Sequence, residues 1–138
     1  MTKEKNHIEE LFTDGSAIDE ERVVEALKPL ITIQRDTKEI YFKDSQKITM
    51  EDKILAFGLA KKLLKTKGLI EQETISASEI HKKTSFKKGS IDPAFKSLKG
   101  KFLIGKGRDY EIPNYKVNEI IKRLDDKIQP KAIKSKGN

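Results

Sequence analysis

The chain has 138 residues, of which 29 are Lys or Arg and 22 are Asp or Glu, and its formal net charge is +7. It contains no cysteine, which excludes disulfides, thiolate catalysis and cysteine-containing zinc sites. No apolar run approaches the ~18 residues of a membrane span, and the first ten residues lack the apolar core of a signal peptide. We therefore expect a soluble, intracellular protein with one hydrophobic core.

The charge is unevenly distributed along the chain. Residues 1–52 carry eight Lys or Arg and thirteen Asp or Glu, a net charge of −5, whereas residues 53–138 carry 21 and nine, a net charge of +12. This asymmetry predicts a polyanionic partner for the basic part. The alternative is that the lysines only keep the surface solvated.

The first 47 residues predict an acidic extension made of a helix and a β-hairpin. An apolar cluster at Ile8, Leu11 and Phe12 has helical spacing, and a second helix begins after Asp19, a good capping residue, and ends before Pro29. Apolar residues then alternate with polar ones on both sides of a polar turn at residues 35–38. This pattern predicts a hairpin with one buried face, formed by Ile31, Ile33, Ile40 and Phe42.

Residues 49–67 carry the strongest helix signal of the chain. Thr49 followed by Asp52 resembles a capping box, and Gly68 ends the helix. Its apolar residues cover more than one face, which is typical of a central helix contacted from two sides. We expect the N-terminal hairpin on one side and the following pair of helices on the other.

Two short helices and a small hairpin are predicted between residues 76 and 113. Ser76 or Ser78 caps the first helix, and Ser90 caps the second, with Pro93 in its first turn. The buried face of the second helix has the spacing i, i+4, i+7 and consists of Ile91, Phe95 and Leu98. Two β-prone runs around the sequence GKGRD at 105–109 predict the hairpin.

A last helix, capped by Asn114, is predicted up to residue 128. Its apolar stripe (Val117, Ile120, Ile121, Leu124, Ile128) packs back on the same domain or forms a seam with a second chain. Residues 129–138 predict a disordered basic tail. The chain is thus divided into an acidic extension (1–47), a main domain with a C-terminal helix (48–128) and the tail.

The order of elements from about residue 49 to 113 resembles a winged helix-turn-helix domain of the prokaryotic transcription-regulator type. The matching pieces are the long first helix, SASEIHKKTS, KKGSIDPAFKSLKG and FLIGKGRDYEIP. The resemblance implies an α+β fold, a winged helix-turn-helix with an N-terminal helix plus β-hairpin extension and a C-terminal helix. It also implies that the third helix enters the major groove of DNA and that the hairpin, or wing, contacts the backbone or minor groove.

Candidate DNA contacts are the polar side chains that the third helix and the wing keep outside the core. They are Lys87, Lys88, Ser90, Lys96, Ser97, Lys99, Lys101, Lys106 and Arg108. Lys and Ser bind phosphates, and the third helix carries no Arg, Asn or Gln, the side chains that most often recognise base edges. We therefore predict roughly four to seven phosphate contacts to double-stranded DNA and little direct base readout.

No motif predicts catalysis, a metal site, a cofactor or a small-molecule ligand. His7 and His81 are isolated, the GKG at 105–107 lacks the frame of a phosphate-binding loop, and no Ser stands with a His and an acid in a recognisable pattern. We predict a non-enzymatic, cytoplasmic, nucleoid-associated DNA-binding protein or small transcription regulator, and a homodimer is a further hypothesis. The alternatives are a winged-helix scaffold for protein–protein contacts and an RNA-binding protein.

Overall fold

Five α-helices and two antiparallel β-hairpins make up the described part of the chain, which is an α+β protein as expected. The computed structural model describes the backbone of residues 19–43, 48–84 and 86–137, and the side chains of residues 19–43, 48–82 and 86–127. The helix predicted around Ile8 lies outside these ranges. In chain order the elements are α1 (Glu20–Leu27), β1 (Ile31–Ile33), β2 (Ile40–Phe42), α2 (Met50–Thr66), α3 (Ala77–Thr84), α4 (Lys88–Leu98), β3 (Ile104–Lys106), β4 (Asp109–Glu111) and α5 (Val117–Gly137).

Helix α1 begins where the sequence predicts it. The Asp19 side chain accepts a hydrogen bond from the Arg22 backbone N–H at 3.2 Å, which satisfies one of the free donors at the helix start. The buried face of α1 packs against α2 and α5 and consists of Val23, Ala26 and Leu27.

The first hairpin also follows its predicted pattern. Ile31 pairs with Phe42 and Ile33 pairs with Ile40. Tyr41, on the opposite face, is exposed. The buried face packs on α2 and α3, so the hairpin is stabilised by the helices rather than by its own two strands.

Helix α2 is the centre of the core. The Thr49 hydroxyl accepts a hydrogen bond from the Asp52 N–H at 3.2 Å and donates one to the Asp52 carboxylate at 2.9 Å, so the predicted cap is confirmed. The buried residues of α2 face several directions because α1, α4, α5 and β2 all contact it. They include Ile54, Leu55, Ala56, Phe57, Leu59, Ala60 and Leu64.

Of the serine caps predicted for α3 and α4, the structure shows the first but not the second. The Glu79 N–H donates to the Ser76 hydroxyl at 3.0 Å, which makes Ser76 the cap of α3. In α4, however, Ser90 already lies in the first turn, since its N–H bonds to the Lys87 carbonyl at 3.0 Å. The predicted cap at Ser90 is therefore wrong, and Pro93 is the sixth helical residue rather than part of the first turn.

The second hairpin is joined to the segment before α3. Ile75 and Tyr110 exchange two backbone hydrogen bonds, at 2.7 and 2.8 Å, so a single bridge at Ile75 lies beside β4. Between β3 and β4 the chain turns at Gly107 and Arg108. Gly107 has a φ of 65°, which a residue with a Cβ adopts only at a cost.

The last helix differs from the sequence prediction at both ends. A 3₁₀ turn (Asn114–Lys116) precedes α5, so Asn114 lies three residues before the first residue of α5 rather than at its cap position, and its side chain accepts a hydrogen bond from Lys62 of α2. At the other end α5 continues through Gly137, so residues 129–137 are helical rather than the expected disordered tail. Lys and Ala there favour helix, whereas Pro130 removes one backbone hydrogen-bond donor from it.

The apolar stripe of α5 is covered by the chain itself. Helix α5 packs against α1 and α2, and the buried members of the stripe are Val117, Ile120, Ile121 and Leu124. The seam therefore packs back on its own domain over these residues. In the described ranges, none of the helices has the length and apolar character needed to cross a membrane.

Candidate nucleic-acid interface

Helix α4 is held rigidly against the rest of the protein. It packs on α2 and α3, and its buried face consists of Ile91, Ala94, Phe95 and Leu98, as predicted for three of the four. The Phe95 ring stacks on the Tyr110 ring of β4 with centroids 4.8 Å apart. These contacts fix the orientation of α4 relative to the second hairpin.

All nine residues proposed from the sequence are exposed. Burial of one face of α4 directs the remaining side chains of the helix towards solvent, and the hairpin presents its own polar residues. The exposed residues are Lys87, Lys88, Ser90, Lys96, Ser97, Lys99, Lys101, Lys106 and Arg108.

One flank of α4 is already engaged by an acidic residue. Glu51, in the first turn of α2, accepts a hydrogen bond from Ser97 and lies close enough to Lys101 to attract it. The Ser97 hydrogen bond is the main reason that the pKa of Glu51 lies below its ordinary value; burial opposes this shift, while Arg123 and Lys101 add to it. Ser97 and Lys101 are therefore less available to a phosphate than their exposure suggests.

The cations of the second hairpin are balanced by acids. Lys106 is the last residue of β3 and pairs with Asp109 of β4, so it lies beside the turn. Its ammonium group is 3.9 Å from the Glu111 carboxylate. With Arg108 at the turn, residues 104–111 carry two cations and two acids, so the outer face of the hairpin is close to neutral.

Of the seven candidate cations on α4 and the hairpin, five have no acidic partner among the described residues. Within the described part of the chain, no ion pair involves any of them, and we refer to this group below as the unpaired cations. The group consists of Lys87, Lys88, Lys96, Lys99 and Arg108.

Lys99 connects the helix to the hairpin. A Cβ added at Gly105 would meet the Cε of Lys99 at 3.9 Å, so the aliphatic part of this lysine lies against β3. Its charged end therefore extends the cationic surface from the end of α4 towards the hairpin.

The first hairpin lies beside the α3–α4 turn without covering it. The rings of Phe42 and Phe86 are 5.3 Å apart, and the Nδ1 of His81 donates to the Phe86 carbonyl at 2.7 Å. Phe86 is thus partly buried at this turn, while Lys87 and Lys88 next to it stay exposed.

Sequence reasoning missed two buried polar clusters. Asp52 is 0% exposed and accepts a hydrogen bond from the Arg123 Nε at 2.6 Å. Lys62 is 4% exposed and donates to Glu73 and Asn114. The only local signal is a charged residue within an apolar helix, because the partners Arg123 and Asn114 are distant in the sequence.

Both clusters are satisfied by hydrogen bonds within the protein. Across the described ranges no buried side-chain nitrogen or oxygen is left without a hydrogen-bond partner. The same ranges contain no group of three or more His, Asp or Glu that could hold a metal ion. The buried polar atoms of both clusters are therefore paired within the protein.

Comparison with known proteins adds no family to this description. No protein-family model, no curated protein and no solved structure matches the chain. The functional interpretation therefore depends on the residues and their geometry.

Proposed function

We propose that the protein contains a winged helix-turn-helix domain and binds double-stranded DNA, mainly through phosphates. The order α2, the Ile75 bridge, α3, α4 and the β3–β4 hairpin supports the first part, because it is the order of elements on which the resemblance depends. In this proposal α4 is the helix that enters the major groove and the hairpin is the wing.

The observation that carries the proposal is the group of unpaired cations on α4 and beside it. An exposed lysine without an acidic partner binds a phosphate without first breaking an ion pair, and it releases the counterions condensed on the DNA. Lys101 and Lys106, which lie near Glu51 and Glu111, contribute less because they must exchange one anion for another. The proposed interface therefore makes about five phosphate contacts per chain.

This composition favours a protein that binds many DNA sequences. Lysine ammonium groups behave as point charges, whereas the paired recognition of base edges usually uses Arg, Asn or Gln. The proposed biological role is accordingly a nucleoid-associated factor or a small transcription regulator. The homodimer is also a proposal, and its contact would use a surface other than the buried α5 stripe, such as the N-terminal segment.

The direct experiment is fluorescence anisotropy of a labelled 24-base-pair duplex of arbitrary sequence at 50 mM NaCl. The expected result is saturable binding that weakens steeply as NaCl increases. A variant with both Lys87→Ala and Lys88→Ala should bind more weakly. The matched control is Lys67→Ala. Lys67 is an exposed lysine at the C-terminal end of α2 that pairs with Glu20 of α1, and this variant should bind like the wild type.

Two outcomes of this experiment would favour a function other than DNA binding. Absence of binding to any duplex at 50 mM NaCl would refute DNA binding and leave the protein–protein scaffold as the better explanation. Tighter binding to single-stranded or duplex RNA than to duplex DNA under the same conditions would instead favour the RNA alternative.

A further inference from the structure

Asp92 is an exception within the basic segment. From residue 86 to residue 108 the chain has seven Lys or Arg and a single acid, Asp92. Its side chain is exposed on α4. It forms no ion pair with any residue in the described ranges, so its carboxylate is free to accept hydrogen bonds from a ligand.

Asp92 lies midway between two of the unpaired cations. Lys88, Asp92 and Lys96 are spaced i, i+4, i+8, which places them along one stripe of the helix. Eight residues correspond to a rise of about 12 Å. With the axis of α4 oriented across the major groove of B-DNA, which is also about 12 Å wide, the two lysines can reach phosphates on both sides of the groove while Asp92 faces the base edges between them.

The position of Asp92 relative to the DNA determines whether its carboxylate opposes or favours binding. Close to a phosphate it would repel the DNA and weaken binding. Facing the floor of the groove, it needs a hydrogen-bond donor, and only cytosine and adenine present amino groups there. The adenine amino group lies next to the N7 acceptor, whose lone pair repels a carboxylate, whereas the cytosine amino group lies next to a C–H.

We propose, on the basis of the proposed DNA binding, that Asp92 recognises cytosine by accepting a hydrogen bond from its N4 amino group in the major groove. The protein then binds many sequences through lysine–phosphate contacts and prefers those that place a C·G pair under the middle of α4. Asp92 is the specificity-determining residue of an otherwise phosphate-binding helix.

The test compares three alternating duplexes of 24 base pairs, made of G·C, I·C or A·T pairs. Inosine lacks the N2 amino group of guanine, so an I·C pair keeps the cytosine amino group in the major groove but resembles A·T in the minor groove. Dissociation constants are measured by fluorescence anisotropy at one NaCl concentration. We expect the wild type to bind the G·C and I·C duplexes equally and about fivefold more tightly than A·T.

Two substitutions of Asp92 separate recognition from charge. Asp92→Ala should bind all three duplexes within twofold of one another, and A·T more tightly than the wild type does, because a repulsive charge is removed. Asp92→Asn should prefer A·T over I·C, since an amide pairs with the adenine N6 and N7. The matched control is Asp126→Ala, an exposed acid on α5, which should leave the preference unchanged.

Different results would refute the role of Asp92 and refute DNA binding itself. Equal wild-type affinity for I·C and A·T, or a preference that persists in Asp92→Ala, would overturn the role of Asp92 and leave phosphate binding intact. Absence of binding to all three duplexes would overturn both. Thermal unfolding of each variant by circular dichroism confirms that the exposed substitutions leave the fold intact.

Discussion

The dependence of DNA affinity on salt follows directly from the group of unpaired cations. Five contacts predict a slope of log K against log [NaCl] of about −4.5, from −0.9 per neutralised phosphate. Raising NaCl from 0.1 to 0.3 M should therefore lower the association constant about 140-fold. The measurement is fluorescence anisotropy at five or more NaCl concentrations on three duplexes of unrelated sequence.

Replacing one of these cations tests the same reasoning at a single position. Lys96→Glu removes one phosphate contact and adds a repulsive charge, so the slope should become shallower by about 0.9 or more. The affinity should fall by the same factor on each of the three duplexes, because a phosphate contact carries no sequence information. Lys67→Ala should leave the slope near −4.5, because Lys67 lies about 24 Å along α2 from Glu51, which contacts the α4 flank.

Three results would refute the phosphate interpretation. A wild-type slope shallower than about −2 would mean that too few cations contact the DNA. An equal change of slope in Lys96→Glu and Lys67→Ala would show that net charge, rather than position, determines binding. A loss confined to one of the three duplexes would show that Lys96 contacts a base.

Three further predictions concern the stability of the fold. Asp52→Ala should lower the free energy of unfolding in urea by about 3 kcal/mol, because it leaves Arg123 without its buried partner. A double-mutant cycle with Arg123→Ala should show coupling between the two residues. Additive effects of the two substitutions would contradict this. Gly58→Ala should destabilise by about 1–2 kcal/mol, since its Cβ would lie 2.7 Å from the Ile112 Cδ1, and Ile112→Val, which removes that atom, should relieve the effect. The pKa of Glu51 lies below its ordinary 4.5, so its contribution to stability is present above pH 4.5 and lost as the pH falls through the lower folded value; Glu51→Gln should therefore lose less stability than the wild type between pH 5 and pH 3.

Elements defined by short-range patterns could be predicted from the sequence. The alternation around β1 and β2 determines which face is buried, and the three-residue spacing of Thr49 and Asp52 is sufficient for the cap of α2. The i, i+4, i+7 spacing likewise identified the buried face of α4, and with it the exposure of the four candidate residues that lie within this helix. In each case the interacting residues are near neighbours, so local propensity and periodicity contain the necessary information.

Features that depend on distant partners could not be predicted. Asn114 is a good capping residue by type, but Lys62, 52 residues earlier in the chain, takes its side-chain oxygen. Ser90 is likewise a good cap by type, although α4 already starts at Lys88. The sequence gives no sign that Ser97 bonds to Glu51, so it overestimated how many polar residues of α4 are free.

Glu51 limits the proposed interface, and this leads to a final prediction. It interacts with Ser97 and Lys101 on one flank of α4, while Arg123 donates to Glu51 at 3.1 Å and to its neighbour Asp52 at 2.6 Å. Glu51→Gln keeps a hydrogen-bond acceptor for Ser97 but removes the charge that attracts Lys101.

If ion pairing determines which lysines contact DNA, Lys101 should then join the unpaired cations. The slope of log K against log [NaCl] should steepen from about −4.5 to about −5.4, and the change should disappear when Lys101→Ala is added. The matched control is Glu21→Gln, an exposed acid in the first turn of α1, which changes the net charge equally. An unchanged slope in Glu51→Gln would mean that Lys101 lies outside the DNA contact, and that the interface follows the stripe of Lys88 and Lys96 rather than the whole exposed surface of α4.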